Sequence, residues 1–210
     1  VGAARGYRVR LTMPASVSKE RKAVLEAFGA EIVLTPPQEG TDGAIRAAMR
    51  IFQQQPGAYY MPNQFANPAN VAAHYKTTGP EIYRPTDGEV RAVGAGMGTT
   101  GTLMGISGYL KDRDERILIF GVEPAPGHHI QGLKNLSESI VPAIYDPSRI
   151  DHKVMVSDEE AFEMARQLAL KEGIFAGMSS GAALAGALKV APDLVGATIV
   201  LPIDIQGTTI

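Results

Sequence analysis

EVRAVGAGMGTTGTLMGISGYLKDR, residues 89–113, and the ILIFGVEP that follows at 117–124 decide the fold class. EVRAVGAG reads as a strand running into a glycine-rich turn. TGTLMGISGYLKDR reads as the helix that the turn opens, and ILIFGVEP is a second apolar strand. Alternating strand and helix implies parallel pairing, so the chain belongs to the α/β class.

The same alternation extends outward. Upstream, RVRLTMP alternates charged and apolar residues from Arg8 to Met13 and stops at Pro14. A helix over KERKAVLEAFGA follows, capped by Ser16 or Ser18, with Val24, Leu25 and Phe28 on one face and Gly29 as its stop. EIVLTPP from Glu31 is a second strand. GAIRAAMRIFQQQ is a helix with Ile45, Met49 and Phe52 on one stripe, and AYYMP is a short strand closed by Pro62. The Asn- and Pro-punctuated stretch NQFANPANVAAHYKTTGPEI is read as a crossover between two halves, which places domains at 1–63 and 64–210. Downstream, Ser157-Asp158-Glu159-Glu160 forms a capping box for a helix that turns Phe162, Ala165, Leu168 and Ala169 inward and ends at Gly173. A small-residue helix, SSGAALAGALKV, and a strand, ATIVLP, complete the reading.

Composition narrows the function classes. The 210 residues are 45% hydrophobic and 20% charged, the range of an ordinary folded domain pair. A net charge of −2 supplies no basic field for nucleic acid, which leaves small molecules as the favoured ligands. No cysteine is present, so disulfides, thiolate metal sites and a cysteine nucleophile are excluded, and a reducing, cytoplasmic setting is expected. No apolar run approaches the roughly 20 residues of a membrane span. The opening at Val1 lacks a start methionine and a signal-peptide layout, and it reads as the last turn of a helix, as in a fragment.

GAGMGTTGTLMG, residues 94–105, is the densest chemical signal. Its glycines let backbone N–H groups approach an oxyanion, and the helix that follows adds the positive end of its dipole. The hydroxyls of Thr99, Thr100 and Thr102 are donors that a purely structural turn does not need. Phosphate is the natural guest. Gly96-x-Gly98-x-x-Gly101 also fits the dinucleotide fingerprint, with Glu123 as the ribose acid of an NAD-dependent dehydrogenase. That fingerprint usually opens its domain, however, and here it follows two earlier β-α units. Adjacent His128 and His129 complete no metal set and read as loop residues. No nucleophile elbow and no H-E-x-x-H is present.

Taken in order, the motifs resemble the cysteine synthase (O-acetylserine sulfhydrylase) family of pyridoxal-phosphate enzymes. AARGYRVRLTMPASVSKERKAVLEAFGAEIVLT is similar to the segment after the family's asparagine loop, and QFANPANVAAHYKTTGPEI to its QFxNPANxxxHxxTTGPEI stretch. GAGMGTTGTLMG is similar to the phosphate loop, GVEP and HIQGLKN to the next strand and active-site loop, and EGIFAGMSSGAALAGAL to the EGIxxGxSSGA helix. The resemblance implies two three-layer parallel-sheet domains of the tryptophan-synthase-β-like fold, the N-terminal one incomplete. It implies pyridoxal 5'-phosphate as cofactor, held by Gly98, Thr99, Thr100, Gly101 and Thr102. Gln64 and Phe65 would face the substrate carboxylate, and Gln131 and Gly132 would line the active-site mouth. The reaction implied is β-replacement on an O-activated serine, with sulfide giving cysteine. A homodimer is implied for the complete enzyme. The alternative from another class is a non-catalytic module that binds serine acetyltransferase, whose C-terminal peptide family members accept in the active-site mouth. Within the same fold, dehydratase or cystathionine β-synthase chemistry stays open.

Three departures from the family pattern matter. The lysine segment that links the cofactor lies upstream of Val1, so no catalytic residue is assigned and the 210 residues are expected to be inactive alone. Lys76, in HYKTTGPEI, sits in a structural segment. The asparagine loop is upstream as well. The ending LPIDIQGTTI departs from the family's Arg-Gly continuation; Asp204 is a candidate partner for the cofactor's ring nitrogen, while Ile203, Ile205 and Gln206 fit the pattern poorly.

Overall fold

The computed structural model describes residues 1–204, and the chain divides into two units, Val1–Pro62 and Asn63–Ile210. In the first unit, β1 (Arg10–Pro14) and β2 (Glu31–Thr35) pair in parallel, Arg10 opposite Glu31. The connection is α1 (Lys19–Ala27), whose N-cap Ser18 accepts the Arg21 N–H at 3.3 Å. Gly29 takes the left-handed conformation that stops it. Arg10 ties the unit together at the strand's start: its guanidinium pairs with Glu31 at 2.8 Å and reaches the hydroxyl of Tyr59.

Two expected faces turn out differently. α2 (Gly40–Gln54) buries Gly43, Ala44 and Ala47, whereas Met49 and Phe52 are more than a third exposed. Small side chains let the helix axis approach β1 closely enough for the Thr12 hydroxyl to donate to the Ala44 carbonyl at 2.9 Å. Val24 of α1 and Phe28, the residue that follows that helix, are likewise exposed. AYYMP forms no strand. It has no parallel neighbour among the described residues, and Tyr59 bonds instead through its side chain to Arg10.

The second unit begins with helices where the sequence reading places a crossover. α3 (Pro68–Lys76) starts with proline in its first turn, behind Asn67, whose side chain accepts the Ala69 N–H at 2.9 Å. α4 (Thr78–Tyr83) follows almost without a break. Both pack on α5, and this packing turns a polar, punctuated segment into ordered structure.

The sheet of this unit has β3 (Val90–Gly96) and β4 (Leu118–Pro124) at its centre, flanked by β5 (His152–Val156) and β6 (Thr198–Val200). Its order is β5-β4-β3-β6 and every pairing is parallel. The crossover between β3 and β4 is α5 (Gly101–Lys111). Pleat alternation sends Val93 and Ile119 to one face, against Leu103, Ile106 and Leu110 of α5. Ala92, Phe120 and Val122 go to the other face, against Ala182 and Ala185 of α7 (Met178–Val190). The result is three layers. α6 (Asp158–Glu172) carries the expected capping box: the Ser157 hydroxyl accepts the Glu160 N–H at 3.3 Å, the Glu160 carboxylate accepts the Ser157 N–H at 2.8 Å, and Gly173 ends the helix. Its buried residues are Ala161 and Leu168; Phe162 is 47% exposed, because Gly181 brings α7 against the small-residue side of α6.

Phe120 is fully buried, its ring where a side chain on Gly94 would stand. Phe120→Ala is expected to cost about 3–5 kcal/mol in urea denaturation. Phe162→Ala, on the open side of α6, should change stability by no more than roughly 0.5 kcal/mol. Equal losses would contradict the packing described.

Candidate functional site

The site grows from the carboxyl end of β3. Met97 continues the strand's line by donating its N–H to the Val122 carbonyl at 2.9 Å, and the chain then turns into α5. Thr100, the residue before the helix, has φ +68°, a left-handed conformation that is uncommon for a residue with a branched Cβ. Its hydroxyl is buried with no hydrogen-bond partner, and the residue is 3% exposed. The Gly101 N–H donates to the Thr99 hydroxyl at 3.3 Å. The first-turn N–H groups of an α-helix have no carbonyl of their own to reach, so the α5 N-terminus presents donors together with the positive end of its dipole.

Two glycines permit the arrangement. A Cβ on Gly98 would stand 2.5 Å from the Gly132 carbonyl oxygen, and one on Gly101 would stand 2.1 Å from the Asn70 Oδ1. The backbone therefore lies against two other segments at van der Waals limits. One of these is the loop after β4. Lys134 donates its N–H to the Met97 carbonyl at 2.7 Å, which fastens Gln131 and Gly132 beside Gly98. Gln131 has a buried side-chain oxygen without a partner, and Lys134 is 4% exposed, its ammonium 5.3 Å from the centre of the Phe65 ring.

The other segment is α3. The Asn70 amide donates to the Gln64 carbonyl at 2.9 Å and to the Thr99 hydroxyl at 3.2 Å. His74, one turn further on, has Nε2 at 3.1 Å from the Thr102 hydroxyl and Nδ1 at 2.9 Å from the Thr78 hydroxyl. Burial of the His74 ring lowers its pKa and favours the neutral form. Gln64, Phe65, Gly98, Thr99, Thr100, Gly101, Thr102, Gln131 and Gly132 thus share one edge of the sheet. Asp204 follows β6 at that same edge; it is exposed, and its backbone clasps the Ser180 hydroxyl, with Asp204 N–H donating at 2.9 Å and its carbonyl 3.2 Å away. Ile205 and Gln206, which fit the family pattern poorly, lie outside the described residues.

Ser180 lies in the first turn of α7, and its hydroxyl holds the segment after β6. The framing roles of Asn70, His74 and Lys134 were not assigned from sequence. The signal available for the first two was the four-residue spacing that puts them on one face of a helix opened by Asn67-Pro68. Glu123, the acid a dinucleotide would need, is 8% exposed and committed elsewhere: it accepts the Leu136 N–H at 2.5 Å. His129 pairs with Asp158 at 2.9 Å. Among the described residues no group of three metal-ligating side chains converges, and no helix is long and apolar enough to cross a membrane.

The chain is similar to several known proteins. Cysteine synthase from Aquifex aeolicus is 47% identical over 195 residues, which is 92% of this chain and 60% of that protein. The crystal structure of a cysteine synthase from Entamoeba histolytica superposes with a TM-score of 0.85 at 39% identity, covering 97% of this chain and 62% of that one. A hydrogen sulfide-producing enzyme from Fusobacterium nucleatum superposes with a TM-score of 0.91 at 34% identity, covering 99% of this chain and 73% of that one. The chain therefore spans about three fifths of the length of the first two relatives. Its α/β architecture is that of the tryptophan-synthase-β-like fold. The family model described as pyridoxal-phosphate dependent enzyme matches residues 1–203, nearly the whole described chain, and the protein belongs to that family.

Proposed function

We propose that the chain serves a pyridoxal-phosphate-dependent β-replacement in which an O-activated serine exchanges its leaving group for sulfide and becomes cysteine. The observation that carries the phosphate part of this reading is the buried, partnerless Thr100 hydroxyl at the N-terminus of an 11-residue helix. A buried hydroxyl without a partner costs about 1–3 kcal/mol, a cost that an anion at this helix end removes. The donor set fits a phosphate: backbone N–H groups of Gly98 to Thr102, three hydroxyls, and no carboxylate among them. When bound, the cofactor supplies an electron sink for charge developing at the substrate Cα.

The chain's own residues then divide the work. Gly98, Thr99, Thr100, Gly101 and Thr102 hold the phosphate. Gln64 and Phe65 stand on the substrate-carboxylate side, where the Gln64 amide can donate to that group. Gln131 and Gly132 border the mouth, and Lys134 behind them keeps that loop fastened to Met97. Asp204 is the candidate for the ring nitrogen, where a carboxylate favours a protonated ring and so a stronger sink. A cytoplasmic homodimer able to bind serine acetyltransferase belongs to the same reading, supported by the resemblance to cysteine synthases.

Fluorescence titration of the chain with pyridoxal phosphate, and with pyridoxal lacking the phosphate, is expected to show at least about 30-fold tighter binding of the phosphorylated form, the equivalent of roughly 2 kcal/mol. Gly98→Ala should abolish most of that preference, because its methyl group meets backbone. Equal affinities for the two compounds would overturn the site. The 210 residues alone should bind without turning over, since none of their lysines falls in the family's cofactor-linking motif; cysteine formation at enzyme-like rates by these residues alone would contradict that. On native protein from its source, O-acetylserine and sulfide should yield cysteine. Pyruvate as the main product would replace β-replacement with dehydratase chemistry.

A further inference from the structure

The hydroxyls at the α5 N-terminus are held from behind by α3, and the contacts have a direction. The oxygens of a dianionic phosphate only accept hydrogen bonds, and a threonine hydroxyl has one hydrogen. If Thr102 gives that hydrogen to an anion, it can only accept from His74, 3.1 Å away. His74 must then carry its hydrogen on Nε2. A neutral imidazole has one N–H, so Nδ1 is left as an acceptor, and the hydroxyl 2.9 Å from it, that of Thr78, must donate.

Building on the phosphate-site reading above, we infer that His74 is a positioning residue: as the Nε2–H tautomer it donates to the Thr102 hydroxyl and so aims the hydroxyl's hydrogen at the anion, while its bare Nδ1 accepts from the Thr78 hydroxyl on the far side of the ring. In the absence of an anion the chain of bonds can run either way: Thr78 to His74 to Thr102, or the reverse. The anion selects the first direction, and the ring's burial, which favours its neutral form, keeps a single hydrogen to be placed. Asn70 performs the simpler version of this task at Thr99. Its amide N–H groups can only donate, so the Thr99 Oγ1 accepts at 3.2 Å and its hydrogen is left for another acceptor. The four-residue spacing of Asn70 and His74 along α3 places both beside the loop, and Gly101 lets the helix come that close. A side chain that merely filled space between α3 and α5 would have no preferred tautomer and no bearing on the phosphate in particular.

The test uses the chain labelled with 15N-histidine. Its His74 resonances are to be recorded free, with pyridoxal phosphate and with pyridoxal. Pyridoxal phosphate should convert His74 to Nε2 protonated and Nδ1 bare, and pyridoxal should not; a bare Nε2 with pyridoxal phosphate bound overturns the inference. In titrations, His74→Leu should weaken pyridoxal phosphate about tenfold, one hydrogen bond's worth, while leaving pyridoxal unchanged. His74→Gln, whose amide can still donate, should recover most of the loss. Should His74→Leu fail to fold, Thr78→Val, which keeps the shape and removes the far donor, should lower the preference for pyridoxal phosphate in the same direction. Equal weakening of both compounds marks His74 as structural only and overturns the inference. A wild-type chain that does not prefer pyridoxal phosphate overturns the phosphate site and this inference together. A wild type that does prefer it, with variants that keep the preference, overturns the role of His74 alone.

Discussion

Parallel pairing of β3 with β4 is the constraint from which the site follows. Two adjacent parallel strands must be joined by a crossover, and the crossover helix α5 therefore begins at the carboxyl edge of the sheet and packs along its face. The Gly-rich loop stands at that edge because it is the only chain between the end of β3 and the start of α5. The loop after β4 and the segment after β6 leave the sheet at the same edge, since all three strands run the same way. Sheet direction alone thus gathers Gly98 to Thr102, Gln131, Gly132 and Asp204 into one neighbourhood. Side-chain chemistry then refines the arrangement.

That refinement is polar and comes from α3. Asn70 and His74 reach the Thr99 and Thr102 hydroxyls, the Asn70 amide also grips the Gln64 carbonyl, and the Lys134 N–H fastens the opposite wall to Met97. The one hydroxyl this network leaves out is that of Thr100, the residue held in a left-handed conformation. Strain and an unmet hydrogen bond at the same residue are costs that a purely structural turn would not keep. They make sense where a ligand completes the turn.

Much of this was legible in the sequence, for identifiable reasons. The β3, α5 and β4 elements announce themselves through a change of hydrophobic period around a glycine-rich turn, and the Ser157 capping box and the Gly29 and Gly173 stops depend only on local chemistry. Where neighbours decide, the reading differed. Met49, Phe52 and Phe162 look like core residues by type, yet small residues, Ala44, Ala47 and Ala161, take the packed faces because they let backbones approach. AYYMP has strand composition and, among the described residues, no strand beside it. NQFANPANVAAHYKTTGPEI has turn composition, but packing on α5 makes it α3 and α4. β5, HKVMV, turns Val154 and Val156 inward and Lys153 and Met155 outward, but the outward Met155 is apolar, so the sequence VMV shows no polar–apolar alternation to read. In the site, the glycines and threonines were visible as a pattern. The tautomer-dependent role of His74 was not, because it depends on which helix faces which.

Everything proposed for this protein rests on the N–H groups and hydroxyls of residues 98–102 forming a phosphate site. A crystal structure of the chain grown with pyridoxal phosphate tests it most directly. Phosphate density is expected at the N-terminus of α5, within hydrogen-bond reach of the Thr100 hydroxyl and the backbone of Gly98 to Thr102. Pyridoxal phosphate bound with its phosphate elsewhere, and the Thr100 hydroxyl still without a partner, would contradict it.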